Sequence, residues 1–345
     1  MDEIVKKDLE IIIAGIGGIA EEIPGKVFLI TGGSGFIGSW FCDVLNFLGA
    51  KIICVDDLST GSLENISHLK NSKNFEFIQA NISNFKTDKK IDYLVHMASI
   101  AAPEVYTQYP IDTLDVNVLG TRNVLEIAKE KNVKAFLYTS TSEVYGNPPD
   151  SMVPTPESYY GFVNPVGGRS MYDESKRCAE AYCISYFNKF GLPIRIARIF
   201  NTYGPRLDIK KTTSYGRALI KFIYQSLSNA EVTVYGDGTQ TRSFCYITDT
   251  IIGLFKLLLT PKIDGQIVNI GNNNELSILE LAEKIIQLSG SSSKITFHQL
   301  PKDDPLRRCP DLTLAKNILD YYPRVFLDDG LKRTIEWVKE SSVNV

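Results

Sequence analysis

The octapeptide Thr31-Gly32-Gly33-Ser34-Gly35-Phe36-Ile37-Gly38 constrains this chain of 345 residues more than any other stretch. It follows a β-branched run and precedes an amphipathic stretch of helical length, so it reads as a strand-to-helix turn. Its glycines permit a tight turn, close approach of backbone to a pyrophosphate, and close packing of helix on strand. The helix N-terminus adds free N–H groups and a positive dipole end. A glycine pattern alone is weak. Here a second apolar run ends in Val55-Asp56-Asp57, about twenty residues beyond the loop, where an acid suits the ribose hydroxyls of an adenosine and repels a 2′-phosphate. Gly32, Gly35, Phe36, Ile37, Gly38, Asp56 and Asp57 are therefore candidate cofactor residues, and NAD is expected in preference to NADP.

From Lys26 onward, short β-branched runs alternate with helical stretches, and strands are expected at 26–31, 51–55, 75–79, 92–96, 135–140 and 193–199. The clearest helix candidate, 111–131, places Leu114, Val118, Leu125 and Ala128 on one face. Nearly continuous apolar strands separated by helices imply a parallel sheet covered on both faces, a doubly wound α/β architecture. After Gly204-Pro205 the alternation loosens, and 206–214, 236–243 and 299–311 read as loops of a second, smaller unit. Residues 247–259 and 265–270 read as one more helix and strand returning to the first sheet. The expected division is an appended arm at 1–25, a dinucleotide-binding domain at 26–203 plus about 244–272, and a substrate domain at 204–243 plus about 273–345.

Lys and Arg number 37 against 40 Asp and Glu, a net charge of −3, so no global field attracts nucleic acid or an anionic membrane. A hydrophobic content of 44% and a charged content of 22% are ordinary globular values and disfavour a disordered chain. The run Ile11 to Ala20 imitates the glycine loop, but no acid ends a second strand behind it. Its upstream flank carries four acids against two bases and Glu21-Glu22 follow it, which disfavours a signal peptide, and it is too short to span a bilayer. A helix or irregular arm packed on the first domain is expected instead. The six cysteines are scattered without a CxxC pair, the pattern of a reduced cytosolic protein, and His68, His96 and His298 stand too far apart to suggest a metal site.

Tyr172-Asp173-Glu174-Ser175-Lys176 sets a tyrosine and a lysine one helical turn apart, on one face. The pair is informative through its place, opening a helix after the fifth strand, whose end carries Thr139-Ser140-Thr141-Ser142-Glu143. Ligands of open α/β sheets bind at the carboxyl ends of the strands. An ammonium beside the phenol, with a positive nicotinamide ring, lowers its pKa and makes Tyr172 a candidate general base.

Together these residues resemble the extended short-chain dehydrogenase/reductase family that modifies nucleotide sugars, with its Rossmann-type sheet and smaller C-terminal nucleotide-sugar-binding domain. The likeness runs from about Lys26 to the C-terminus. It includes the glycine loop, His96-Met97-Ala98-Ser99, Asn117-Val118-Leu119-Gly120-Thr121, Arg198 through Arg206, and Gly238-Thr239-Gln240-Thr241-Arg242. Within the family the chain is most similar to the branch that decarboxylates UDP-glucuronate to UDP-xylose. That narrower likeness rests on Thr141 through Gly146, Asn164 through Arg169 leading into Tyr172, and Asp303 through Asp311.

The resemblance implies a proton-accepting Tyr172, a Lys176 that holds the ribose, Thr141 or Ser142 bonded to the reacting oxygen, Glu143 near carbon 5, and Arg308 positioning substrate and tyrosine. It adds Asn81, Ile82, Ala98, Asn117 and Thr139 to the cofactor set, and Tyr106, Asn201, Arg206, Arg217, Tyr235, Gln240, Arg242 and Arg308 to the substrate set. A homodimer joined through 111–131 and 171–190 is also implied. Rival readings stay open. A 4-epimerase needs no acid at Glu143. A 4,6-dehydratase uses such a glutamate, commonly beside an aspartic acid, and here Ser142 is a poor proton donor, although some dehydratases carry Ser-Glu. A non-catalytic NAD-binding sensor is disfavoured by the intact tyrosine, lysine and glutamate. Two departures stand out: Asn81-Ile82 in place of the usual adenine-binding aspartate, and the 207–215 segment.

Overall fold

The computed structural model describes residues 2–207, 217–300 and 305–343, so most of the 207–215 segment, with Asp303 and Asp304, lies outside the described residues. The main sheet is built from β1 (Val27–Thr31), β2 (Lys51–Asp56), β3 (Phe75–Gln79), β4 (Tyr93–His96), β5 (Ala135–Thr141) and β6 (Ile194–Ile199). After β7 (Thr202–Tyr203), β8 (Val232–Tyr235), β9 (Thr241–Ser243) and β10 (Cys245–Tyr246), the strand β11 (Ile267–Ile270) returns to it. All seven run parallel in the order β11-β6-β5-β4-β1-β2-β3, the Rossmann arrangement, with the reversal between β1 and β4. The central strands are buried along almost their whole length, which is why their sequences are continuous apolar runs and not alternating ones.

The helices are α1 (Glu3–Ile16), α2 (Phe36–Phe47), α3 (Pro103–Gln108), α4 (Pro110–Asp115), α5 (Thr121–Lys131), α6 (Ser170–Phe190), α7 (Ala218–Leu227), α8 (Ile247–Leu259), α9 (Ile278–Ser289), α10 (Thr313–Leu319) and α11 (Leu327–Val343). The single helix expected at 111–131 is interrupted: Val116–Gly120 form a π turn between α4 and α5. The extra residue of that turn rotates the faces, so Leu125 and Ala128 are buried while Leu114 is on the exposed side.

The remaining strands, β12 (Glu275–Ser277), β13 (Ile295–His298) and β14 (Arg307–Arg308), form two small sheets with earlier ones, β12-β9-β14 and β13-β8. The stretches 236–243 and 299–311, expected as loops, thus contribute β9 and β14; two or three residues are too few to show a period.

The N-terminal run is helical, and α1 packs on α8 and α2. Val5, Leu9, Ile12 and Ile16, spaced by three or four residues, are buried. Gly15 lets α1 approach α8, since a Cβ there lands 2.3 Å from Ile252. No helix among the described residues is long and apolar enough to cross a membrane.

Candidate active site

A cavity of about 1120 Å³ opens at the carboxyl ends of the main strands, where the strand order reverses, and continues under the small sheets. It exceeds what one ordinary small ligand fills and suits two placed end to end.

At one end lies the glycine turn. Gly32 has φ +71°, and a Cβ on it meets Ala98 backbone at 2.7 Å; one on Gly38 meets the Gly32 carbonyl oxygen at 2.2 Å. Both positions are closed to side chains, so α2 sits down onto the turn with its N–H groups toward the cavity. Asp56 accepts from the Ser34 and Leu58 N–H groups at 3.0 and 2.9 Å, bracing the turn against the end of β2, and carboxylate lone pairs remain for a ribose. These features fit a dinucleotide. Gly35, Phe36, Ile37, Asp57, Asn81, Ile82, Ala98 and Thr139 also line the cavity. Asn117 does not: buried behind it, its amide donates to Ser175 at 2.9 Å.

Lys176 is buried and donates to the Thr139 carbonyl at 2.9 Å. Burial, only partly opposed by Glu180, draws its pKa down to about 7. His96 is a satisfied core residue. Thr31 accepts from Met97 and Ala98 N–H groups, so its hydroxyl donates to His96 Nδ1 at 2.7 Å, and Nε2 donates to Thr121 at 3.0 Å. Burial, then Lys176, holds the His96 pKa down at about 3.

Tyr172 stands on the first turn of α6, stacked on Tyr106 with ring centres 5.1 Å apart. The lowering of its phenol pKa expected of Lys176 and the nicotinamide ring together is not supplied by the chain's own groups. Burial raises it, Glu143 and Asp173 raise it further, and a hydrogen bond to Thr141 offsets only part. Lys176 is not among the causes of that shift, and its ammonium donates to the Thr139 carbonyl. Tyr106, assigned to substrate, lies outside the cavity lining, buried behind Tyr172.

Thr141 ends β5 and caps the turn bearing Ser142 and Glu143. Glu143 is paired with Arg169 and, at 3.1 Å, with Arg308. Burial alone raises its pKa, but Arg169, Arg308 and Arg242 together hold it at about 2. Arg169 also faces Asp173 at 3.6 Å, and burial with repulsion from Glu143 pushes the Asp173 carboxyl up to about 7. Sequence reasoning assigned no role to Arg169 or Asp173. Their spacing of four on a helix was the available signal.

At the far end Asn201, Arg217, Tyr235, Gln240 and Arg242 line the cavity. Gln240 donates to the Tyr235 carbonyl at 2.6 Å and Asn201 to that of Ser243 at 3.0 Å. Arg206 reaches the lining too, but its guanidinium is taken up by Asp43 of α2 at 2.6 Å and lies over Trp40. It fastens the chain after β7 to the main sheet's helices.

Residues 28–271 match the NAD dependent epimerase/dehydratase family, and the chain belongs to that family. UDP-glucuronic acid decarboxylase 1 of Xenopus tropicalis is 42% identical over 315 residues, 91% of this chain and 72% of that protein. An epimerase of Methanothermobacter thermautotrophicus superposes with a TM-score of 0.87 at 28% identity, over 95% of this chain and 96% of that one. UDP-glucuronic acid 4-epimerase of Bacillus cereus, solved with UDP-glucuronic acid and NAD, gives 0.80 at 32% identity, over 91% and 99%.

Proposed function

We propose that this chain is an NAD-dependent UDP-glucuronate decarboxylase that forms UDP-xylose. The observation that carries the reading is the Glu143 carboxylate, held ionised by Arg169 and Arg308 at the cavity end beside Tyr172. The decarboxylase relatives, which cover most of the chain, support it.

Gly32, Gly35, Asp56 and Lys176 hold the cofactor, which supplies reversible two-electron oxidation of the sugar at carbon 4. Tyr172 takes the proton of the carbon-4 hydroxyl, and Thr141 or Ser142 hydrogen-bonds that oxygen. The resulting 4-ketone is β to the carboxylate, so the bond from carbon 5 to carbon 6 breaks with its electron pair flowing into the ketone, and CO2 leaves. Carbon 5 then takes up a proton and the ketone is reduced again. Arg308 and Arg169 fix Glu143 beside carbon 5, while Arg217, Arg242, Tyr235, Gln240 and Asn201 receive the nucleoside diphosphate. Arg206 serves this pocket from behind. We read residues 26–203 with about 244–272 as the cofactor domain, 204–243 with about 273–345 as the substrate domain, and 1–25 as an added arm. Two copies pair through α4, α5 and α6, where Ile111 and Leu114 of α4 are exposed, and the free cysteines suit a cytoplasmic setting.

Incubation with UDP-glucuronate and NAD is expected to release CO2 and UDP-pentose in equal amounts. Turnover of the uronate to its 4-epimer without CO2, or of a UDP- or TDP-hexose instead, sinks the proposal, and bound NAD with no turnover of any nucleotide sugar supports the sensor reading. Tyr172→Phe is expected to lower kcat by roughly 100-fold or more. Arg308→Ala is expected to lose CO2 release to a similar degree, about 100-fold.

A further inference from the structure

Arg308 is 2% exposed, yet a single nitrogen anchors its guanidinium: Nη2 donates to Glu143 Oε2 at 3.1 Å and to the Gly146 carbonyl at 3.2 Å, while Nε and Nη1 have no partner. Its cross-strand neighbour on β9 is Arg242, a like charge on the same cavity-facing side. Its strand, β14, is two residues long and lies at a sheet edge. Neither the side chain's own bonds nor the strand's length accounts for its placement.

Successive residues of a strand point to opposite faces, so Arg307 projects away from the cavity. There it forks onto Glu275 of β12, Nε to Oε1 at 3.1 Å and Nη2 to Oε2 at 2.7 Å, and Nη1 reaches Asp150 at 3.2 Å. Thr241 of β9, between the two strands, donates to the same Glu275. The Arg307 fork is the first cause holding the Glu275 carboxyl below its ordinary pKa. Asp150 belongs to the segment that follows Glu143, and that segment is also stitched to the β14 strap through the strap's backbone. Leu306 N–H donates to Asn147 at 3.2 Å, and Thr155 N–H to the Cys309 carbonyl at 2.8 Å.

We propose that Arg307, clamped by Glu275 and Asp150, is the positioning residue that sets Arg308 against Glu143. The proposal rests on the decarboxylase reading of Arg308. The clamp is open to solvent, with Arg307 at 36% side-chain exposure, so it contributes little to stability and its effect falls on geometry. A bidentate pair fixes direction as well as distance, and a displacement of about 1 Å at a reacting centre costs up to 100-fold in rate.

The test measures CO2 release from UDP-glucuronate by the full chain with NAD. Arg307→Met is expected to lower kcat about 10-fold with KM and the thermal midpoint nearly unchanged. Arg307→Lys, which keeps the charge and loses the fork, is expected to fall between. Glu275→Gln is expected to match Arg307→Met, the double variant being no worse than either, and it carries the test if Arg307→Met does not fold. In an Arg308→Lys background Arg307→Met is expected to cost less than about twofold, because the residue through which it acts is already altered. An unchanged kcat in Arg307→Met, or a full 10-fold loss persisting in the Arg308→Lys background, overturns the proposal. The two readings fail separately: wild-type protein that releases no CO2 refutes the decarboxylase, whereas decarboxylation that needs Arg308 and ignores Arg307 refutes only the clamp.

Discussion

At the scale of single residues, the cavity places charge where burial opposes it. Glu143 stays ionised because guanidinium groups surround it, while Lys176, whose burial Glu180 only partly offsets, is drawn down to about 7. The second effect has a measurable sign. Between about 7 in the folded chain and 10.5 in the unfolded one, the unfolded state binds more protons, so this lysine makes stability rise with pH across that window, by up to about 1.4 kcal/mol per unit. Urea unfolding between pH 7.5 and 9 should therefore show wild type gaining on Lys176→Met; parallel stabilities refute the shift. Tyr172 and Lys176 were legible because helical spacing is local. The partners of Glu143 were not, since Arg308 reaches it from 165 residues further along the chain.

At the scale of elements, α1 shows how an added segment becomes part of the fold. Asp8 is fully buried, accepting from Tyr246 at 2.5 Å and from Arg333 of α11 at 2.7 Å, so one side chain ties the N-terminal helix to β10 and to the last helix. Asp8→Ala strands a buried hydroxyl and a guanidinium, and a loss of about 2–3 kcal/mol in urea unfolding is expected. A loss below about 0.5 kcal/mol would mean the contact is replaced by water. The apolar positions of α1 were readable as a helix face, but not the surface that receives it. The π turn at Val116–Gly120 was likewise invisible to a count of periods, because it changes the period midway.

At the scale of the whole molecule, the sheet order puts the glycine turn, the end of β5 and the start of α6 around one cavity, and the small sheets close its other side. The exposed apolar residues of α4, Ile111 and Leu114, suit pairing of two copies, and light scattering is expected to give twice the chain mass; a monomer at micromolar concentration rejects that assembly. The sequence by itself determined the parallel sheet, the dinucleotide turn and the tyrosine and lysine pair, because each rests on contacts between near neighbours or on a burial pattern written along one strand. Only the tertiary structure decided that Arg206 braces Asp43, that Tyr106 backs Tyr172 without lining the cavity, and that Arg169 and Arg308 converge on Glu143. Those pairings depend on how far elements approach after packing, and no residue spacing encodes a distance across space.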